Sequence, residues 1–210
     1  MSSDRSSQSR RQWVGTWVPL LPILVAMLIA FAAAQYGRLR GTPPPTMAMP
    51  VMSHAAPEMP SAPDIMDPAP DFTLPDVHGG DLHLAALEKQ GPVLVIFYLG
   101  YNCPRCVAHL REIEEHIDEI RATGGQVVAI SPDTPDNLKK SVDAFGDFPF
   151  PLLADPDLKA FRDYGLVFGK DALFHGCYIV DKEGAVAFAM RSSHPYDNVN
   201  GLVATLRGMK

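Results

Sequence analysis

The residues best suited to covalent chemistry are two cysteines in the segment Cys103-Pro104-Arg105-Cys106. They follow a short apolar run that is typical of a buried strand, and they precede a segment with helical periodicity. Proline suits the first turn of a helix, because the N–H that it lacks has no intrahelical partner there. Cys103 would then lie at the positive end of the helix dipole, which stabilises a thiolate, and the Arg105 cation adds to that effect. The motif predicts a redox-active cysteine pair.

The helix that begins at this pair is predicted to be amphipathic. Its apolar residues recur at spacings of four and three and form one stripe, whereas acidic residues occupy much of the remaining surface. Cys106 belongs to the stripe, so we expect it to be less accessible than Cys103 and close enough to form a disulfide with it. The stripe consists of Cys106, Leu110, Ile113, Ile117 and Ile120.

Two other uses of the cysteine pair stay open at this point. It could be an inert structural disulfide, or it could supply half of a zinc site. A tetrahedral zinc ion needs two further ligands, and the sequence has neither a second Cys-x-x-Cys motif nor a paired histidine motif.

Besides Arg105, three residues are candidates for a supporting role. Cys177 stands in a predicted strand, where it is either a small buried apolar side chain or a residue that resolves or modulates the pair. His175 immediately precedes that strand, and His109 lies on the predicted helix after Cys106. Each histidine is either incidental or a participant in the chemistry.

Strands and helices alternate after residue 70, which predicts an α/β fold with a central sheet covered by helices on both faces. A hairpin is predicted first, because Gly79 and Gly80 separate two short apolar segments. The predicted strands cover 72–74, 81–84, 93–99, 126–130, 151–154, 176–181 and 185–190, and helices after the first are predicted near 136–145, 157–164 and 198–207.

The N-terminal part predicts a membrane anchor. No charged residue occurs from Gln12 to Gly37, and the anchor is predicted over residues 12–34. Its centre, Trp13 to Ala34, would form a helix about 33 Å long, against roughly 30 Å for the hydrocarbon core. A cleaved signal peptide is the alternative, with Ala32 to Ala34 as its cleavage site. Residues 1–11 are expected to be a short tail before this segment. Both the anchor and the signal peptide predict that the C-terminal part is exported.

Residues 35–70 are predicted to be an extended linker, because prolines fix φ and remove hydrogen-bond donors. The folded domain is then expected over residues 71–210. The thioethers of methionines in the linker could bind Cu(I), a soft ion. The simpler interpretation is that these methionines are only apolar residues of a disordered spacer. The candidate copper ligands are Met47, Met49, Met52 and His54.

The net charge of the chain is −6 at pH 7, with 18 lysines and arginines against 24 aspartates and glutamates. A nucleic-acid partner is therefore not expected, because such a partner requires clustered cations.

Taken together, these segments resemble the alkyl hydroperoxide reductase and thiol-specific antioxidant family, a peroxiredoxin-like branch of the thioredoxin fold. The resemblance runs over most of the predicted domain. It implies a thioredoxin-like mixed sheet with flanking helices. The segments that carry it are APDFTLP at 69–75, FYLGYNCPRC at 97–106, FPLLAD at 150–155 and YIVDKEG at 178–184.

The resemblance implies a role for each cysteine. Aligning Tyr98 with the tyrosine of the family motif puts Cys106 at the peroxidatic cysteine and Cys103 at a threonine. It also puts Leu99 at a proline and His175 at an arginine of the family site. The implied activity is thiol-dependent peroxide reduction, with electrons from an external thiol and no metal or organic cofactor.

Two alternative functions are open. One is a membrane-anchored thiol-disulfide reductase of the cytochrome-maturation type, acting on oxidised protein, in which Cys103 would attack first. The other is a Cu(I) chaperone, in which the linker and the cysteine pair bind copper without redox turnover.

Overall fold

The computed structural model describes residues 20–39, 61–100, 102–170 and 172–209. The chain divides into two units, Met1–Ser53 and His54–Lys210. In the first unit the described residues form one helix, α1 (Leu20–Leu39). Residues 12–19, the beginning of the predicted anchor, lie outside the described part, as do Met47, Met49, Met52 and His54.

The bounds of α1 differ from the prediction at its C-terminal end. The helix continues past residue 34 to Leu39, since the sequence has no proline between Pro22 and Pro43, so residues 35–39 belong to the helix. Over the residues that the structure describes, no helix has both the length and the apolar composition needed to cross a membrane. The predicted anchor finds no support among them and stays a prediction.

The second unit begins with a hairpin and continues as alternating strands and helices. Its elements are, in chain order, β1 (Thr73–Pro75), β2 (Asp81–His83), α2 (Leu84–Glu88), β3 (Val93–Phe97), α3 (Pro104–Glu115), α4 (Ile117–Ala122), β4 (Gln126–Ser131), α5 (Pro135–Phe145), β5 (Leu152–Ala154), α6 (Lys159–Asp163), β6 (Val167–Phe168), β7 (Ala172–Leu173), β8 (His175–Val180), β9 (Val186–Ser192) and α7 (Val199–Gly208).

The centre of this unit is a five-stranded mixed sheet with the strand order β5-β4-β3-β8-β9. Strand β3 pairs parallel to β4, and β4 pairs parallel to β5. On its other side β3 pairs antiparallel to β8, which pairs antiparallel to β9. All residues of β3 and β8 are buried, because helices cover both faces of the sheet. This confirms the predicted α/β class.

Alternate side chains of β3 enter two separate cores. Leu94 and Ile96 pack in one core with apolar residues of α3, α4 and α7, including Leu110 and Leu206. Val93, Val95 and Phe97 point to the opposite face, as the period of two in a strand requires. There the aromatic rings form one contact group, consisting of Phe97, Phe161, Tyr164 and Tyr178.

Three local features differ from the prediction. The long amphipathic helix is split at His116, which has φ −101 and ψ 6, so α3 and α4 are separate although Ile113 and Ile120 still reach the same core. Helix α2 and the β6–β7 hairpin were not predicted. Elements of two to five residues are too short to show a hydrophobic period.

The folded unit also begins earlier than residue 71. The N–H of Met66 donates to the carbonyl of Val186 at 2.8 Å, and the N–H of Ala69 donates to the carbonyl of Gly184 at 2.9 Å. Pro63 is buried. Strand β9 is at the edge of the sheet, so its outer backbone groups are free to form hydrogen bonds. The preceding segment is rich in proline, but its other residues keep their N–H groups and can donate to this edge. Residues 61–70 are therefore attached to the sheet instead of forming part of a linker.

The aromatic group on the second face gives a stability prediction. Phe97→Ala should lower the free energy of unfolding by about 3 to 5 kcal/mol, because the lost ring leaves a cavity among Phe161, Tyr164 and Tyr178. Phe145→Ala is the matched control: this ring is 42% exposed, so the change should stay within about 0.5 kcal/mol. Denaturant unfolding measures both, and equal midpoints for the two variants would contradict the assignment of Phe97 to the core.

Candidate functional site

The cysteine pair lies at the junction between β3 and α3, as predicted. Cys103 is the N-cap of α3, with extended backbone angles, and Pro104 occupies the first helical position. The N–H of Cys106 donates to the sulfur of Cys103 at 3.2 Å, so the sulfur satisfies one of the free donors of the first turn. Backbone donors of this kind stabilise negative charge on a sulfur at a helix N-terminus.

The two sulfurs form a disulfide, with a Cα–Cα distance of 5.2 Å. Cys103 is partly exposed, whereas Cys106 is fully buried. This confirms the predicted difference in accessibility. A reductant from solvent can therefore reach the sulfur of Cys103 more easily than that of Cys106.

A polar network holds the loop that precedes the pair. The hydroxyl of Ser131, at the end of β4, donates to Asp133 at 2.7 Å. Tyr98 is buried and its hydroxyl bonds to Ser131, while burial raises the pKa of the phenol and keeps it neutral. Gly100 has φ +95, and a Cβ there would lie 2.7 Å from the Asp133 carboxylate, so the loop passes Asp133 at a distance that only glycine permits.

His175 reaches the pair through the register of the sheet. Antiparallel pairing places Gly176 opposite Phe97, so the first residue of β8 lies beside the end of β3, where the chain turns towards α3. The Nε2 atom of His175 is 3.2 Å from the sulfur of Cys106. His175 thus contacts the buried cysteine directly, although the two residues are 69 positions apart.

Burial controls the protonation of this histidine. His175 is 6% exposed. Loss of solvent lowers its pKa, and electrostatic repulsion from His194 and Arg105 lowers it further, although the backbone of Ser192 and Ser193 opposes the shift. The imidazole is therefore neutral near pH 7, and Nε2 can accept or donate one proton at the sulfur, depending on its tautomer.

Three potential metal ligands meet at this point. One atom each from Cys103, Cys106 and His175 lies within 4.8 Å of the other two. In the described ranges this is the one such group of three or more residues. A structural zinc site needs four ligands, so the arrangement does not complete the zinc site that the sequence left open.

His109 lies on the same helix but does not touch the sulfurs. Its ring is buried, its Nε2 atom has no hydrogen-bond partner, and burial lowers its pKa. It lines an open cavity of about 170 Å³ beside the cysteine pair. The cavity is formed by Arg105, Ala108, His109, Glu112, His194, Pro195 and Asp197.

The other candidates take different places. Arg105 is exposed and acts on His175 through its charge. Cys177 is fully buried in β8, on the same face as His175, and burial raises the pKa of its thiol, which keeps it protonated and unreactive. This agrees with the reading of Cys177 as a small apolar side chain.

Sequence reasoning missed the roles of Ser131 and Asp133. A signal for them existed, because β3 and β4 were both predicted as strands and the carboxyl ends of parallel strands meet at one edge of a sheet. Polar residues directly after β4 could therefore have been expected near the end of β3. Which of them binds Tyr98 depends on the loop conformation.

Comparison with known proteins gives consistent results. The model of the AhpC/TSA family matches residues 65–189. A Mycobacterium tuberculosis protein assigned to the peroxiredoxins is 34% identical over 148 residues, which cover 67% of this chain and 90% of that protein. Peroxiredoxin Bcp of Escherichia coli is 29% identical over 127 residues, 57% of this chain and 80% of that protein.

Among solved structures, the crystal structure of peroxidoxin BcpB from Mycobacterium tuberculosis is similar to this chain, with a TM-score of 0.64 and 25% identity. The match covers 70% of this chain and 99% of that one. The thioredoxin-like arrangement of sheet and flanking helices is thereby confirmed.

The two buried histidines predict how stability depends on pH. Their pKa values are lowered in the folded protein, so the unfolded chain binds more protons as the pH falls through about 6.5. The free energy of unfolding should therefore decrease below about pH 7, by at most about 1.4 kcal/mol per pH unit for each histidine. Denaturant titrations at several pH values measure this slope.

The double variant His109→Gln, His175→Gln is the control for that slope. The free energy of unfolding of this variant should depend less steeply on pH than that of the wild type between about pH 7 and 5. Gln does not titrate, and carboxylates take up protons mainly at lower pH. An unchanged slope in the double variant would show that other groups cause the dependence.

Proposed function

This chain belongs to the AhpC/TSA family and is a thiol-dependent peroxidase, and we propose that it reduces peroxides at Cys106 and resolves the product with Cys103. The observation that carries the assignment of roles is the 3.2 Å contact between the sulfur of Cys106 and Nε2 of His175. Cys106 is the cysteine with a neighbouring base, and Cys103 is the one that solvent can reach.

The first step forms a sulfenic acid. Nε2 of the neutral His175 takes the thiol proton of Cys106, and the thiolate attacks one oxygen of the peroxide. An S–O bond forms and the O–O bond breaks, so the sulfur is oxidised and the peroxide reduced. The second oxygen leaves as an alcohol or water after it takes up a proton, which the imidazolium of His175, in contact with the reacting sulfur, can return.

The second step closes the disulfide. The sulfur of Cys103 attacks the sulfenic acid of Cys106, an S–S bond forms, and the S–O bond breaks. The hydroxyl leaves as water with the proton that the Cys103 thiol gives up. Two equivalents of an external thiol, or one dithiol, then reduce the disulfide and are themselves oxidised. Attack at the partly exposed Cys103 leaves Cys106 as the free thiol, ready for the next peroxide.

The proximity of the cysteines supports this order. Cys103 is the N-cap of α3 and Cys106 lies in its first turn, so the resolving sulfur is already at bonding distance from the attacked one. In this proposal Cys103, in the place of the family threonine, supplies resolution, and His175, in the place of the family arginine, supplies proton transfer.

Single cysteine variants of the full-length protein test the roles. Cys106→Ser should reduce peroxide consumption to the background level. Cys103→Ser should still react once with peroxide and accumulate a sulfenic acid at Cys106, which dimedone labels and mass spectrometry locates. The thiol-disulfide reductase alternative predicts the reverse: Cys103→Ser inactive, and mixed disulfides trapped through Cys103 in Cys106→Ser. That reverse result would contradict the proposal.

Histidine variants test the base. His175→Gln should lower the rate of sulfenic acid formation by about 100-fold, the lower end of the effect of general acid–base catalysis. His109→Gln is the matched control, since that histidine is equally buried but does not contact the sulfurs. It should keep the wild-type rate. Equal rates in both variants would remove His175 from the proposed mechanism.

We further propose that the N-terminal segment anchors the protein in a membrane, with the catalytic domain on the exported side. Support comes from the sequence, in which no charged residue occurs from Gln12 to Gly37. The Pro-rich composition between residues 41 and 60 is suited to a spacer between anchor and domain.

Carbonate extraction of membranes tests the anchor. The full-length protein should stay in the pellet, because an apolar helix of this length does not leave the bilayer with changes in pH or salt. A variant that lacks residues 12–34 should appear in the supernatant. Recovery of the full-length chain in the supernatant, or a mature N-terminus at Gln35, would contradict the anchor.

A further inference from the structure

We propose that the reduced form of the protein binds one Cu(I) ion between Cys103, Cys106 and His175. The proposal does not depend on which cysteine attacks peroxide. It assigns a second use to the same three side chains, available only while the disulfide is open.

The geometry of the three donor atoms fits a three-coordinate ion. All of them lie within 4.8 Å of one another, and Nε2 of His175 is already 3.2 Å from the sulfur of Cys106. Ligand atoms about 2.0 to 2.3 Å from a metal are separated by about 3.5 to 4 Å in a trigonal plane. Reduction moves the two sulfurs from bonding distance to nonbonded contact, which produces that spacing with little change in the backbone.

The surroundings favour a soft monovalent ion. Thiolates are preferred ligands of Cu(I), and three ligands are enough for it, whereas zinc normally takes four. Cys106 and His175 are buried, so water has little room to complete a larger coordination sphere. The methionines and histidine at positions 47, 49, 52 and 54 are also of the kind that binds Cu(I).

Binding involves no change of oxidation state. Up to two thiol protons are released as the two S–Cu bonds form, and the neutral imidazole of His175 contributes the lone pair of Nε2. Closing the disulfide removes both thiolates, so oxidation of the cysteine pair must release the ion. The site is therefore coupled to the redox state of the pair.

The experiment is an anaerobic titration of the full chain with Cu(I), with bicinchoninate as the competing chelator. To remove other donors, the background carries Met47→Leu, Met49→Leu, Met52→Leu and His54→Gln. We expect one equivalent of Cu(I) in the reduced protein and none in the disulfide form. X-ray absorption should show two sulfur ligands and one nitrogen ligand.

Variants separate this site from unspecific thiol binding. His175→Gln should weaken Cu(I) binding by at least about 10-fold. Even the loss of a residue that only hydrogen-bonds to a metal ligand lowers metal affinity by about that factor. His109→Gln and Cys177→Ser should bind as the background does, because neither residue is in the ligand group. Four results would overturn the proposal: equal binding by the disulfide form, no effect of His175→Gln, no binding in the background chain, or displacement of Cu(I) by an equal concentration of Zn²⁺.

Discussion

The pairing of β3 with β8 is the constraint on which the site depends. These two strands are fully buried in the middle of the sheet, and their antiparallel register sets Gly176 opposite Phe97. The register brings the start of one strand next to the end of the other, which places His175 beside the first turn of α3. A shift by one residue would turn His175 to the opposite face of the sheet and remove it from Cys106. The geometry of the reaction is therefore fixed by the core.

The same burial that stabilises the sheet also determines the chemistry. His175 and Cys106 lie where solvent is excluded, so the imidazole is neutral and its contact with the sulfur is not screened by water. Cys103 is partly exposed to solvent, and its sulfur accepts a hydrogen bond from the N–H of Cys106 at the helix terminus. Two cysteines of one motif thus have different environments, one suited to contact with a base and the other to exchange with an external thiol.

Supporting residues connect this site to the rest of the unit. The network of Tyr98, Ser131 and Asp133 ties the loop after β3 to the end of β4, and Gly100 lets the backbone pass close to the carboxylate. At the far edge, Met66 and Asp67 form hydrogen bonds with Val186 of β9, so the segment before the hairpin contributes to the sheet. The first arrangement restrains the loop that leads into the cysteine pair, whereas the second extends the edge of the sheet.

The sequence by itself determined the features that depend on neighbouring residues. The hairpin at Gly79, the buried strand, the position of proline in the first turn and the amphipathic stripe of α3 all follow from local spacing, and with them the unequal exposure of the two cysteines. The tertiary structure decided which histidine contacts the sulfur. His109 is nearer along the chain, yet His175 makes the contact across 69 positions. The attachment of residues 61–70 was likewise not visible in the sequence, because composition indicates solvation and cannot show that an edge strand is available for pairing. Contacts between distant residues depend on strand register and on the order of strands in the sheet, neither of which a local pattern contains.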